Sequence, residues 1–291
     1  MTLLDGKVTA RAYKEKIALE VQEWVARGNR PPHLAAVLVG DNPASVAYVN
    51  GKVKDCEQVG MKSSLIKLPS DISQEDLLAK VAELNADEGL DGFIVQLPLP
   101  NHIDEKTVTL AIDPKKDVDG FHPENVGRMA LNLPTYLPAT PHGILMMLEY
   151  YNIETSGKHC VVVGRSNIVG SPMSILMARN ANPGNATVTL THSRTVDLKT
   201  ECLRADILIA AIGKANFITA DMVKPGAVVI DVGINRVDDA SRERGYRLTG
   251  DVDFDGVSAV ASHLTPVPGG VGLMTRVALL QNTLQAARGE N

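Results

Sequence analysis

The stretch Cys160-Val161-Val162-Val163-Gly164-Arg165-Ser166-Asn167-Ile168-Val169-Gly170-Ser171 decides the fold. Its apolar run predicts a buried strand, its glycines a turn, and 171–178 an apolar helix. A strand, a glycine turn and a helix start together form the layout that seats a pyrophosphate on backbone N–H groups. The spacing is not G-x-G-x-x-G. Ser166 stands where the second glycine would be and Gly170 comes late, so the motif by itself is weak.

Downstream, 186–191 predicts the next strand, which ends in His192-Ser193-Arg194-Thr195. A site preferring NAD wants an acid there for the ribose 2′-OH. A hydroxyl and a guanidinium suit a 2′-phosphate instead, and Arg165 points the same way. The cofactor reading is therefore NADP, with His192 an ordinary loop histidine. Two more strands follow over 205–213 and 227–235, where Gly213 and Gly233 are expected to let the backbone approach a flat ligand. Asp231 reads as a buried structural acid. Residues 236–250 read as an exposed hairpin or loop. Thr265-Pro266-Val267-Pro268-Gly269-Gly270-Val271-Gly272 is a rigid turn, and the helix after it, 273–287, is expected to return to the first half of the chain.

Upstream the same alternation appears. A helix over 8–27, with Ile17, Val21, Trp24 and Val25 on one face, ends at Gly28 before Pro31-Pro32. An apolar strand, 34–39, leads through Asp41-Asn42-Pro43-Ala44 into a helix for which Ser45 is the expected N-cap. Tyr48 and Lys52, four apart, then share a face at the carboxyl end of a strand, where open α/β sheets keep their ligands. A lysine beside a phenol can move a proton if its surroundings lower its pKa; a solvated helix face is the plain alternative. A strand at 64–68 precedes a helix capped by Ser73, with Asp76 in its first turn and Leu77, Leu78, Val81 and Leu84 for packing. The strand 92–97 carries Gln96 at the end that parallel pairing would bring near Lys52; a satisfied surface amide is the alternative. After a helix over 104–112, Asp113-Pro114-Lys115-Lys116-Asp117-Val118-Asp119-Gly120-Phe121 reads by composition as a solvated loop. Residues 121–140 lack periodicity, and prolines 134, 138 and 141 mark a boundary before a helix with proline in its first turn.

Strands alternating with helices mean βαβ units and a mostly parallel sheet. At 291 residues, 44% hydrophobic and 22% charged, the chain has the make-up of one or two soluble globular domains. Its net charge of −5, with no basic block, argues against a general nucleic-acid role. Cys56, Cys160 and Cys202 are too scattered to hold a metal and read as reduced thiols in a cytoplasmic setting, Cys160 as core. No metal site is expected. There is no apolar run of 18 residues and no apolar leader, so neither a membrane span nor a signal peptide is expected.

Six stretches carry a resemblance: Val39-Gly40-Asp41-Asn42-Pro43-Ala44-Ser45 with Tyr48 and Lys52; Gln96-Leu97-Pro98-Leu99-Pro100; Lys116-Asp117-Val118-Asp119-Gly120; Gly164-Arg165-Ser166 through Val169-Gly170; Asp231-Val232-Gly233-Ile234-Asn235; and 265–272. In this order and spacing the chain resembles, end to end, the bifunctional methylenetetrahydrofolate dehydrogenase/methenyltetrahydrofolate cyclohydrolases. The resemblance implies an α/β substrate domain with a parallel sheet (1–140, plus a returning helix 273–291) and a Rossmann NADP-binding domain (141–272). It implies tetrahydrofolate derivatives as substrates, a folate cleft and a homodimer. It implies catalytic roles for Lys52, Tyr48, Gln96 and Asp119, and folate contacts from these and from Leu97, Pro266 and Gly270. Nucleotide contacts would come from Gly164, Arg165, Ser166, Ser193, Arg194 and Ile234. Two departures show: Leu273 where the family pattern usually has proline, and Ala139 where cysteine is common. Two other readings compete: a shikimate-dehydrogenase-like NADP reductase of similar layout, and a non-enzymatic NADP sensor.

Overall fold

A computed structural model describes residues 1–242 and 245–290. Glu243 and Arg244, within the expected hairpin, and Asn291, the expected end of the returning segment, lie outside the described residues. The elements run β1 (Thr2–Leu3), α1 (Gly6–Ala26), β2 (His33–Val39), α2 (Pro43–Gln58), β3 (Lys62–Leu68), α3 (Gln74–Ala86), β4 (Gly92–Val95), α4 (Glu105–Ala111), α5 (Pro123–Ala130) and α6 (Ala139–Tyr150). They continue through β5 (His159–Val163), α7 (Gly170–Ala178), β6 (Thr187–Thr191), α8 (Leu198–Leu203), β7 (Ile207–Ala210), β8 (Val228–Asp231), β9 (Asn235–Asp238), β10 (Tyr246–Thr249), α9 (Phe254–Ser258), β11 (His263–Leu264) and α10 (Val271–Arg288).

The chain divides into two compact units, one of Arg11–Ala139 with Arg276–Asn291, the other of Met1–Ala10 with Thr140–Thr275. The first holds a three-stranded parallel sheet in the order β3-β2-β4. All seven residues of β2 are buried, which is why it reads as an unbroken apolar run rather than an alternating one. Its core gathers Val37, Leu77, Val81, Phe93 and Val108. The Ser73 side chain caps α3 by accepting from the Asp76 N–H, as expected. The last helix returns to this unit: the Asn282 side chain donates to the carbonyls of Val118 and Leu137, and Arg288 pairs with Glu20.

The second unit holds a six-stranded parallel sheet, β1-β11-β8-β7-β5-β6. The first ten residues join it, whereas the expected division began the substrate domain at residue 1. The cause is β1, whose Thr2 and Leu3 pair with His263 and Leu264. Val161, Leu208, Val229 and Leu264 form its core.

Several local expectations are corrected. Asn42, not Ser45, caps α2: its side chain accepts from the Ser45 N–H, and Pro43 occupies the first turn. Ile17 and Val21 are buried on α1, but Trp24 is only half-buried and Val25 is exposed. Residues 121–140 contain α5, started by Pro123 and capped by the His122 ring, which accepts from the Glu124 N–H. The strand expected over 205–213 shrinks to four residues, and that over 227–235 to four followed by the start of β9. β9 and β10 form the antiparallel hairpin expected near 236–250.

Candidate active site

In each parallel sheet the connection reverses direction at one strand. Chain order runs from β2 to β3 on one side and to β4 on the other; likewise from β5 to β6 on one side and to β7 on the other. Such a reversal opens a crevice at the carboxyl ends of the flanking strands. Each unit therefore has a predictable place for a ligand.

In the first unit, α2 leaves the end of β2 carrying Tyr48 and Lys52, and Gln96 follows β4. The Lys52 side chain is only 6% exposed, and its Nζ donates to Gln96 Oε1 at 3.3 Å. The amine lies 5.7 Å from the centre of the half-buried Tyr48 ring. Gln96 is itself fixed: its Nε2 donates to the Leu97 carbonyl at 2.7 Å, and its backbone N–H donates to Val37. A solvated face is ruled out for Lys52 by its burial. Burial lowers the Lys52 pKa, Asp119 opposes that shift, and Arg276 adds to it. Asp119 moves the other way: burial raises its pKa, and Lys52 opposes the rise.

The segment 113–121 is not a solvated loop. Phe93 bridges Asp117, and the Phe93 N–H donates to the Lys116 carbonyl, so the segment lies alongside β4. Asp117 is 2% exposed and accepts from the His122 N–H and the Asn125 side chain; burial pushes its carboxyl up to about 6. Lys116 Nζ donates to the carbonyls of Leu84 and Asp87, and Asn282 holds the Val118 carbonyl. Composition missed this because its charges serve as ties to backbone rather than as a solvated face. Asp119 and Asp117 line a small cavity with Phe93, Leu97, Val108 and Phe121.

The two departures from the family pattern are quiet. Ala139 is buried and contributes its N–H, which donates to the Asp119 carbonyl. Leu273 uses the N–H a proline lacks, donating to Gly270.

In the second unit, a cavity at the ends of β5, β6 and β7 is lined by Gly164, Arg165, Ser166, His192, Ser193, Ile212, Lys214 and Phe217, among others. Four of the six expected nucleotide contacts line it; Arg194 and Ile234 do not, though both are exposed. Lys214 and Phe217, stacked at 5.6 Å, are the residues sequence reasoning missed. The glycines fit a dinucleotide cradle. A Cβ on Gly164 would overlap the Ala211 carbonyl, and one on Gly170 the Gly164 carbonyl. The turn is thus as tight as glycine allows, and α7 starts directly beneath it. With Arg165 and Lys214 at the rim, the donor set suits a phosphate-bearing nucleotide.

Behind this cavity lie two buried acids. Asp251 is fully buried and accepts from the N–H groups of Ile212, Gly213 and Lys214 and from the Asn235 side chain. Asp231 accepts from the N–H groups of Gly233, Asp251 and Val252, and burial pushes its carboxyl up to about 7. Gly233 was expected to admit a flat ligand. A Cβ there would overlap the Asp251 carboxylate, so the bare backbone makes room for that acid. Pro266 and Gly270, expected folate contacts, belong to this second unit; Gly270 is buried, and a Cβ on it would crowd the Pro266 carbonyl. Cys56, Cys160 and Cys202 are all buried free thiols, and no group of metal-ligating side chains occurs among the described residues. No described helix is long and apolar enough to cross a membrane.

Comparison with known proteins gives concordant findings. Residues 4–119 match the family model for the tetrahydrofolate dehydrogenase/cyclohydrolase catalytic domain, and residues 138–291 that for its NAD(P)-binding domain. The chain is 67% identical to a protein of Cytophaga hutchinsonii described as bifunctional protein FolD, covering 99% of each chain. The structure of the bifunctional FolD of Campylobacter jejuni superposes with a TM-score of 0.92 at 46% identity, covering all of both chains. That of Trypanosoma brucei, described as complexed with NADP cofactor and inhibitor, gives 0.93 at 37% identity over 99% and 98% of the chains. A shikimate 5-dehydrogenase of Listeria monocytogenes shares only the fold, at 12% identity and a TM-score of 0.51 over 89% and 92% of the chains.

Proposed function

The chain belongs to the tetrahydrofolate dehydrogenase/cyclohydrolase family, and on that premise we propose how its own side chains divide the work. The enzyme oxidises 5,10-methylenetetrahydrofolate to the methenyl form with NADP⁺ and hydrolyses the product to 10-formyltetrahydrofolate. We assign the folate chemistry to the first unit and nucleotide binding to the second. When bound, NADP⁺ supplies the hydride acceptor. Gly164, Arg165, Ser166 and Ser193 would hold it, with Arg194 at the 2′-phosphate and Ile234 beside the nucleotide.

Hydride removal needs placement more than acid–base help. Hydrolysis does need protons moved. Water adds its oxygen to the methenyl carbon and loses one proton to a base. The resulting hydroxyl becomes the formyl oxygen as the carbon–N5 bond breaks and N5 takes up a proton. One proton is released overall. Lys52 is the group for these transfers. Its amine is buried, which favours the uncharged form, and the cationic substrate would favour that form further. Gln96 orients the amine and Tyr48 limits its excursion. Asp119 accepts paired N–H groups from the pterin, a geometry that suits a carboxylate over an amide. Leu97 would border the folate.

The observation that carries this reading is the Lys52 amine held at 3.3 Å from Gln96 Oε1 while almost wholly buried. Lys52→Met is expected to abolish cyclohydrolase activity, read as loss of methenyltetrahydrofolate absorbance. Hydrolysis by that variant at the wild-type rate, above the solution background, would remove Lys52 from the mechanism. We also propose a homodimer, for which the edge strand β6, exposed or half-buried over residues 187–190, is a suitable rim; a monomer in sedimentation would refute it. The three buried free thiols support a cytoplasmic location.

A further inference from the structure

On the side of α2 that carries Lys52 sits a charged cluster that the mechanism above does not use. Asp55 is 2% exposed and pairs with two cations from distant parts of the chain. Lys14 Nζ lies 2.5 Å from its Oδ1, and Arg276 Nε lies 2.6 Å from its Oδ2, with Nη2 donating to Oδ1 at 3.1 Å. One anion between two cations leaves the cluster with a net positive charge. The Arg276 side chain is itself largely covered, 23% exposed.

The guanidinium packs against α2 one residue before Lys52. Its Nη1 lies so close to Gly51 that a Cβ at that position would overlap it. Gly51 is the residue immediately before Lys52. A glycine inside a helix is less favourable than alanine, so its presence at this point of α2 has a packing cause. That cause is the arginine. Asp55 fixes the guanidinium from one side and the bare Gly51 backbone admits it from the other.

We propose that Arg276 is a positioning residue for the hydrolytic step, a cation clamped by Asp55 against Gly51 at the turn of α2 that carries the base. There it disfavours a second positive charge on the Lys52 amine. This inference rests on the assignment of Lys52 made above. The groups that face the amine are few. From its own helix come Tyr48 and Cys56, from the end of β4 Gln96, from the 113–121 segment Asp119, and from α10 Arg276. Cys56 is buried and its thiol is pushed up to about 12, so it stays neutral. Asp119 is the carboxylate whose charge favours the ammonium most. When its carboxylate is engaged by a pterin, Arg276 acts together with the substrate's own positive charge to favour the uncharged amine. Buried charges are screened little, so this cation acts on the amine at nearly constant strength across ordinary salt concentrations.

The test is the pH dependence of the two activities in the full-length enzyme. A base that must be uncharged gives a rate that rises with pH up to its pKa. Arg276→Met removes the cation, so the acid limb of the cyclohydrolase profile should move up by about one pH unit, a loss of about tenfold in rate on that limb. The dehydrogenase rate, which needs no proton from Lys52, should keep its profile. Arg276→Lys, which retains the charge, should restore the limb. An unmoved limb in a folded Arg276→Met enzyme overturns the proposal, as does an equal shift in both activities. If that variant fails to fold, Gly51→Ala serves instead: its methyl displaces the guanidinium while favouring the helix, and the limb should move the same way. No shift there also overturns it. Lys52→Met separates the two readings. Full hydrolysis by Lys52→Met defeats both, whereas its loss beside an unmoved Arg276→Met limb defeats this one alone.

Discussion

Replacing Asp251 by asparagine should loosen the nucleotide edge of the second unit, and the structure sets the size of the effect. The carboxylate receives four hydrogen bonds, two per oxygen: Ile212 and Gly213 N–H at 2.6 and 3.0 Å on Oδ2, Lys214 N–H and Asn235 Nδ2 at 2.9 Å each on Oδ1. An amide keeps one acceptor oxygen and turns its NH₂ toward the other two donors. Two buried donors are then orphaned at about 1–2 kcal/mol each, so Asp251→Asn should cost about 2–4 kcal/mol of stability. No water can replace them cheaply, since the side chain is fully buried. The assay is urea unfolding with an unchanged m-value, run beside steady-state kinetics. Because Ile212 and Lys214 line the nucleotide cavity, KM for NADP should rise severalfold while KM for the folate moves little. A loss under about 1 kcal/mol together with an unaltered KM for NADP would refute the reasoning.

Three further outcomes follow from the same geometry. Arg194→Ala should raise KM for NADP and leave the weaker use of NAD unchanged; an equal effect on both would sink the 2′-phosphate assignment. Asp119→Asn should weaken folate binding, since one N–H of the pterin edge loses its acceptor, and equal affinity in a titration would count against the contact. Asp117 is held protonated to about 6 in the folded protein against about 3.9 unfolded, so the folded state binds more protons between those values. Its contribution is full below pH 4 and is lost as pH rises through 6. Asp117→Asn should therefore flatten the fall in stability over that window, by at most about 3 kcal/mol. A wild-type urea midpoint that rises from pH 4.5 to 6.5, with the same slope in the variant, would contradict this.

How far the sequence could be read depends on how local each cause is. The strands β2, β5, β7 and β8 announce themselves because each is buried along its whole length or nearly so. β1 and β11 are two residues long and carry no period at all; β1 is a strand only through pairing with β11 across more than 250 positions, and β11 through pairing with β1 and β8. The short helices escaped for a related reason. α5 is started by a histidine, which the usual cap preferences do not favour, and α8 by an aspartate whose backbone is left-handed, φ 50°, rather than in the extended region usual for a cap. The site divides along the same line. Tyr48 and Lys52 lie one helical turn apart, so spacing alone puts them together, and Gln96 follows from parallel pairing. Asp119 was out of reach of composition, because the charges around it bind backbone rather than water. Farthest from view were Asp55 and Arg276, 221 positions apart, and Gly233, whose missing side chain makes room for the Asp251 carboxylate. In each of these the residue's meaning is a partner brought by tertiary packing. A glycine read alone licenses any close approach; only the atom occupying the space it leaves says which one the fold required.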